Sequence, residues 1–121
     1  AWSLMSDQHL TPFKDTAVTA TATLMSGKPT RVYWLTIHNL SNAIGYLQLF
    51  DAAAVADVTL GTTAPTLTIG QHQNNSGYPG YRDLIFNNPL NFKYGVVYAF
   101  TTTATGNTAP SANSILLGGY V

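Results

Sequence analysis

The side chains able to do acid–base or metal chemistry are few and scattered. Histidines stand at His9, His38 and His72, and the five acids are all aspartates, Asp7, Asp15, Asp51, Asp57 and Asp83. No two histidines have the HxH or HxxxH spacing that would put both imidazoles on one ion, so structural or surface roles are the simpler reading and no metal site is expected. A Ser/His/Asp triad assembles across a fold and needs no local spacing, but no GxSxG elbow accompanies these residues. Five aspartates are a poor source of a catalytic carboxylate pair. Cysteine is absent, which removes thiolate zinc ligands, disulfides and cysteine nucleophiles. Neither a Walker sequence nor GxGxxG is present to cradle phosphate. The chain is therefore expected to have no catalytic residues and no cofactor.

Two other groups of residues remain as candidates for binding. Residues 1–15 form a leader with Trp2, Leu4, Met5, Leu10 and Phe13 at irregular spacing; so apolar an arm must be covered either by its own domain or by a neighbour. The segment Gln71 to Tyr81 (QHQNNSGYPGY) is polar and rich in turn residues, and reads as an exposed loop. Its His72, Asn74, Asn75, Tyr78 and Tyr81 combine aromatic rings with amides, an adaptable surface for protein or sugar. The alternative is that the rings fold back on their own sheet. The other aromatics, Tyr33, Trp34, Tyr46, Phe50, Phe86, Tyr94, Tyr98 and Phe100, fall on expected strands, where core is the simpler role. Two N-x-S sequences, at Asn39-Leu40-Ser41 and Asn74-Asn75-Ser76, carry meaning as glycan acceptors only in a secreted chain.

Composition explains what kind of scaffold must hold these residues. Five basic and five acidic side chains make 8% of the 121 residues, against roughly 25% in ordinary globular domains. Zero net charge and a 45% apolar content argue against a basic nucleic-acid-binding surface and against disorder. No apolar run is long enough for a membrane helix, and the first ten residues lack the pattern of an export signal. Thr, Ser, Asn and Gln supply the polarity, and Glu is missing, which favours strands and turns over helices.

The expected elements follow from alternation. Thr16 to Met25 (TAVTATATLM) alternates strictly and reads as one half-buried strand. Ser26-Gly27-Lys28-Pro29 is a turn. Arg31 to Asn39 sets Tyr33, Leu35 and Ile37 against Val32, Trp34, Thr36 and His38, substantial on both faces and hence central. Ile44 to Asp51, also apolar on both sides, is expected to form a hairpin with it. Asp51 to Val58 reads as a loop with a local turn, too short to hold a helix. Thr66–Gly70, Asp83–Phe86, Phe92–Thr103 and Ser114–Val121 complete the set, with breaks at Asn87-Asn88-Pro89 and Gly106-Asn107 and a bulge at Gly95. About seven or eight short strands predict an all-β fold, an antiparallel β-sandwich or jelly roll. It comprises an N-terminal arm over residues 1–15 and a single domain over 16–121.

Three stretches act together: GYLQLFDAA, VTLGTTAPTLTIG, and FKYGVVYAFTTTATGNTAP before a closing apolar strand. This pattern resembles that of small β-sandwich virion proteins of tailed bacteriophages, in which YLxLFDAA precedes V-T-x-G-T-x-x-P and a late strand ends in TTTATG-T-x-P. The similarity runs from Arg31 to Val121. It implies a head decoration (cement) protein or a minor head or tail component, with no catalytic residues to carry over. The partners so implied are the major capsid protein and copies of the chain itself, as trimers or dimers, on the head surface of a virion assembled in the host cytoplasm, with no nucleic acid or membrane partner. A carbohydrate-binding module built on the 71–81 loop is the rival from a different class.

Overall fold

The computed structural model describes residues 9–73 and 80–121. Among them eight strands form two four-stranded antiparallel sheets. The strands are β1 (Thr11–Val18), β2 (Thr23–Ser26), β3 (Thr30–His38), β4 (Gly45–Asp51), β5 (Leu67–Gln71), β6 (Tyr81–Phe92), β7 (Val96–Thr101) and β8 (Ser114–Tyr120). Sheet A has the order β1-β8-β3-β6 and sheet B the order β2-β7-β4-β5. Only the step from β4 to β5 stays within a sheet; every other connection crosses between them. The sheets share one core, to which sheet A gives Val18, Val32, Leu35, Ile37, Phe92 and Leu116 and sheet B gives Met25, Leu47, Leu49, Val96, Tyr98 and Phe100. The fold is an all-β sandwich, and β3 and β4 are central in their sheets, as their two-sided apolar character requires.

Several expected boundaries are corrected. The arm does not extend to residue 15, because Thr11–Asp15 pair with Tyr120–Leu116 of β8 as the first part of β1. The alternating stretch 16–25 is two strands, not one. Its first residues end β1 on the edge of sheet A, the Thr19 carbonyl then accepts from the Phe100 amide, and β2 pairs with β7 in sheet B. Alternation continues through this corner because each half still has one face toward the core. Asp15 holds the bulge that precedes it: one carboxylate oxygen accepts from the Ala17 amide and the other from the Tyr98 hydroxyl across the sandwich.

The β3–β4 hairpin is likewise replaced by a crossing between sheets. A register shift after Val32 puts Val32 on the same core face as Leu35 and Ile37, so Tyr33 is not the inward residue the simple alternation implies. Asn87-Asn88-Pro89 does not end a strand but bulges within β6; proline is tolerated there because β6 is an edge strand. Gly95 marks a turn between β6 and β7 rather than a bulge in one long strand. A Cβ there would lie 2.4 Å from the Ser26 carbonyl oxygen and 2.6 Å from that of Ala52, so no other residue fits without movement. The 51–58 loop contains a single 3-10 turn at Val55–Asp57.

The outer faces of the two sheets differ. On sheet B, Val58 and Leu60 pack over Phe50 and Val97. Beside them the buried Gln48 amide donates to the Thr101 hydroxyl and the Gly106 carbonyl. This roof from the 52–66 and 102–108 connections is why β7 is buried at every position. Sheet A has no such roof among the described residues.

Candidate functional site

The outer face of sheet A, which no described residues roof, carries Leu10 and Tyr81 among the candidates. The register places three rows across β8, β3 and β6: Gly119, Trp34 and Ile85; Leu117, Thr36 and Asp83; Ile115, His38 and Tyr81. At one end the face is apolar. Leu10, Trp34, Leu84, Ile85 and Phe86 help line a groove of about 480 Å³, where Leu10 is 40% and Ile85 81% exposed. Gly119 makes the trough: a Cβ on it would sit 2.2 Å from Trp34 Nε1, so the indole lies across β8 because that position carries no side chain.

The other end is polar. Thr36 Oγ1 donates to Asp83 Oδ1 at 2.6 Å and Tyr81 Oη to Asp83 Oδ2 at 2.8 Å. These two hydrogen bonds hold the Asp83 carboxyl below the usual aspartate range. The Tyr81 hydroxyl is pushed up, first by its bond to Asp83 and then by that carboxylate's charge. The Tyr81 ring meets His38 edge to face at 6.1 Å between centroids. A ring fixed on two sides yet 51% exposed is a preorganised contact, since little side-chain freedom is left to lose.

Beyond Tyr81 lies the end of the sandwich where β5 finishes at Gln71 and β6 starts at Tyr81, so both bounds of the expected loop belong to strands. Ile44, Tyr46, Gly70, Gln71, His72, Tyr81 and Arg82 surround a depression of about 420 Å³, and Arg82 Nη1 donates to the Gly70 carbonyl. The structure therefore brings His72 and Tyr81 together, whereas Asn74, Asn75 and Tyr78 lie outside the described residues, as do Trp2, Leu4 and Met5. Leu10 reaches the sheet A groove. Phe13 lies in β1 rather than in an arm: it is half-buried against the core and meets the Tyr98 ring edge to face at 5.4 Å.

Trp34, Tyr46, Arg82 and Ile85 were not singled out by sequence as binding residues. Trp34 and Tyr46 sit on central strands and match the core pattern, and the sign that one face of each strand is outward lies only in the pairing. No described residues assemble three His, Asp or Glu side chains around a metal position. A further depression, about 310 Å³ beside Asp51 and Asp57, offers no free carboxylate pair, because Asp51 accepts from the amides of Lys93, Tyr94 and Gly95.

Burial works to raise the Asp51 pKa, but those three amides and the Lys93 charge outweigh it and hold the carboxyl below its ordinary value. Comparison with family models, curated proteins and solved structures found no match to the chain.

Proposed function

We propose that the chain is a non-enzymatic structural protein of a tailed-phage virion, a capsid decoration (cement) protein on the outer head surface that stabilises adjacent major capsid subunits. The observation that carries the reading is the strand order. Successive strands alternate between sheets ordered β1-β8-β3-β6 and β2-β7-β4-β5, which supports a jelly roll, an architecture that recurs in viral capsid domains. Fold alone does not carry function, so two sequence features are added: the resemblance over Arg31–Val121 to phage virion proteins, and the ten charges in 121 residues. At zero net charge so few charges suit a subunit packed against others better than a free one.

On this reading the partners are the major capsid protein and copies of the chain, as a trimer at three-fold or a dimer at two-fold positions. The contacting end is the one bearing His72, Tyr81 and Arg82. Apolar and neutral hydrogen-bonding contacts would change little with salt, because little screened charge is involved. The deciding experiment is the copy number in purified virions. Hundreds of copies per particle, with heat resistance of the shell lost when the protein is removed, are the expected result. A small fixed copy number would replace this reading by a neck, tail or baseplate component. Absence from virions would overturn it.

The depression between Tyr46, Tyr81, His72 and Arg82 favours one second reading, a carbohydrate-binding module. It predicts glycan binding by the isolated protein that is lost in Tyr81→Ala.

A further inference from the structure

The pairing of β1 with β8, β8 with β3 and β3 with β6 sets the outer residues of sheet A in rows across all four strands. One row is Pro12, Gly119, Trp34 and Ile85, and the next is Lys14, Leu117, Thr36 and Asp83. Both rows face outward, because the positions between them, Phe13, Leu35 and Leu84, pack on the core. The second row therefore has a cation at one edge of the sheet and a carboxylate at the other. Lys14 is exposed and has no hydrogen bond or ion pair among the described residues. Asp83 is exposed as well; Thr36 and Tyr81 each donate to one of its oxygens, and each oxygen keeps room for a second donor. Within one chain the two charges stand three inter-strand steps apart, about 14 Å, too far to pair with each other. Opposite charges set equally far from the midline of the sheet are complementary to the same row turned over.

We propose that the outer face of sheet A is an interface with a second copy of this chain, the two sheets stacked about a two-fold axis that runs along the strands between β8 and β3. This axis sets β1 of each copy over β6 of the other, so Lys14 meets Asp83 of the second copy and Asp83 meets Lys14 of the second copy, an isologous contact in which both charges are paired. The same operation covers the apolar row. Ile85, 81% exposed, falls over Pro12 of the second copy, and the two Trp34 indoles, each lying across its own Gly119, flank the axis. Arg31, also charged and exposed on this face, lies beside Val121 in the ladder and comes opposite Val121 of the second copy rather than a like charge. Packed sheets stand about 10 Å apart, a gap that a lysine and an aspartate side chain bridge together. Four strands about 4.8 Å apart and about 30 Å long present about 580 Å², so two copies cover about 1,150 Å², above the roughly 1,000 Å² that a specific interface needs. The inference goes beyond the virion reading and stands without it, since it concerns the chain in solution.

Sedimentation of the full-length protein should show a reversible dimer. Lys14→Asp and Asp83→Lys each replace two opposite-charge contacts by two like-charge ones, and each should weaken the dimer at least tenfold. An equimolar mixture of the two variants restores both opposite-charge contacts and should associate about as tightly as the parent. Carbodiimide coupling of the unsubstituted protein reads the same contact without depending on how Asp83→Lys folds. It should join Lys14 Nζ to the Asp83 carboxyl as an amide, the carbodiimide taking up the water, and in a mixture of heavy-isotope and ordinary protein the linked peptides should include heavy–light pairs. A parent that stays monomeric to about 1 mM, a dimer that Lys14→Asp leaves as tight as before, a mixture of folded variants that does not associate, or coupling that links the copies without joining Lys14 to Asp83 would overturn the proposal.

Discussion

Replacing Asn39 tests how the sandwich is closed at the end where β5 finishes and β6 starts. Asn39 is fully buried where the chain crosses from β3 to β4, and Ser41 beside it is 2% exposed. The Asn39 amide nitrogen donates to the carbonyls of Ala43, Gln71 and His72, and its oxygen accepts from the Ser41 amide at 3.0 Å and hydroxyl at 2.6 Å. In Asn39→Ala the Ser41 hydroxyl can still reach the Ala43 carbonyl, its other partner at 2.9 Å, and the exposed His72 carbonyl can find water. The Gln71 carbonyl and the Ser41 amide cannot. Two buried groups left unpaired, at roughly 1–3 kcal/mol each, cost about 4 kcal/mol, a large part of the roughly 5–15 kcal/mol that holds a domain of this kind together.

Urea unfolding followed by tryptophan emission should show the midpoint falling by about 2 M, given a slope near 2 kcal/mol/M. Asn39→Asp keeps the acceptor for Ser41 but turns an anion toward the Gln71 and His72 carbonyls. Its folded-state pKa must then lie above the unfolded value of about 3.9. The folded form holds the proton more tightly, so this variant should lose stability as pH rises from about 4 and regain part of it on acidification. An alanine variant within about 1 kcal/mol of the parent, or an aspartate variant whose deficit is flat with pH, would refute the reasoning.

Two further substitutions probe the sheets on either side of that corner. Gly119→Ala places a methyl group 2.2 Å from the Trp34 indole nitrogen. The ring must lift from β8, at a cost of about 1–3 kcal/mol and with a marked rise in acrylamide quenching of tryptophan; unchanged quenching would count against the seat of Trp34 on β8. Asp51, with its pKa held below the usual 3.8 by the amides of residues 93–95, contributes stability that is present above that value and lost as pH falls through the lower, folded one. Urea midpoints taken from roughly pH 6 to pH 2 should therefore fall less steeply for Asp51→Asn than for the parent, and identical slopes would exclude the role.

Much of the strand content was legible from alternation and turn residues. β3, β4, β5 and β8 stand within two residues of their expected bounds, and the turn Ser26–Pro29 joins β2 to β3. The misread places share one cause. Alternation reports that a segment has one face inward, and it says the same on either sheet, so residues 16–25 read as one strand although they leave sheet A and enter sheet B. The short 39–44 connection suggested a hairpin because loop length limits separation, not direction. The site is less legible still: Leu10, His72 and Tyr81 stand out in the sequence, but Trp34 and Ile85 face each other across β3 and β6 only because of a bulged register, and nothing in the Asn39-Leu40-Ser41 triplet shows that Asn39 is fully buried.

By itself the sequence determines a β protein with a two-sided central pair of strands, a shortage of ionisable groups and no thiol. These follow from side-chain chemistry and the two-residue pleat, which are local. The tertiary structure alone decides which strands pair, which outer face the described connections roof, and that Gly119 clears a seat for Trp34. Those outcomes depend on hydrogen bonds between residues far apart in the chain, and no local period encodes them.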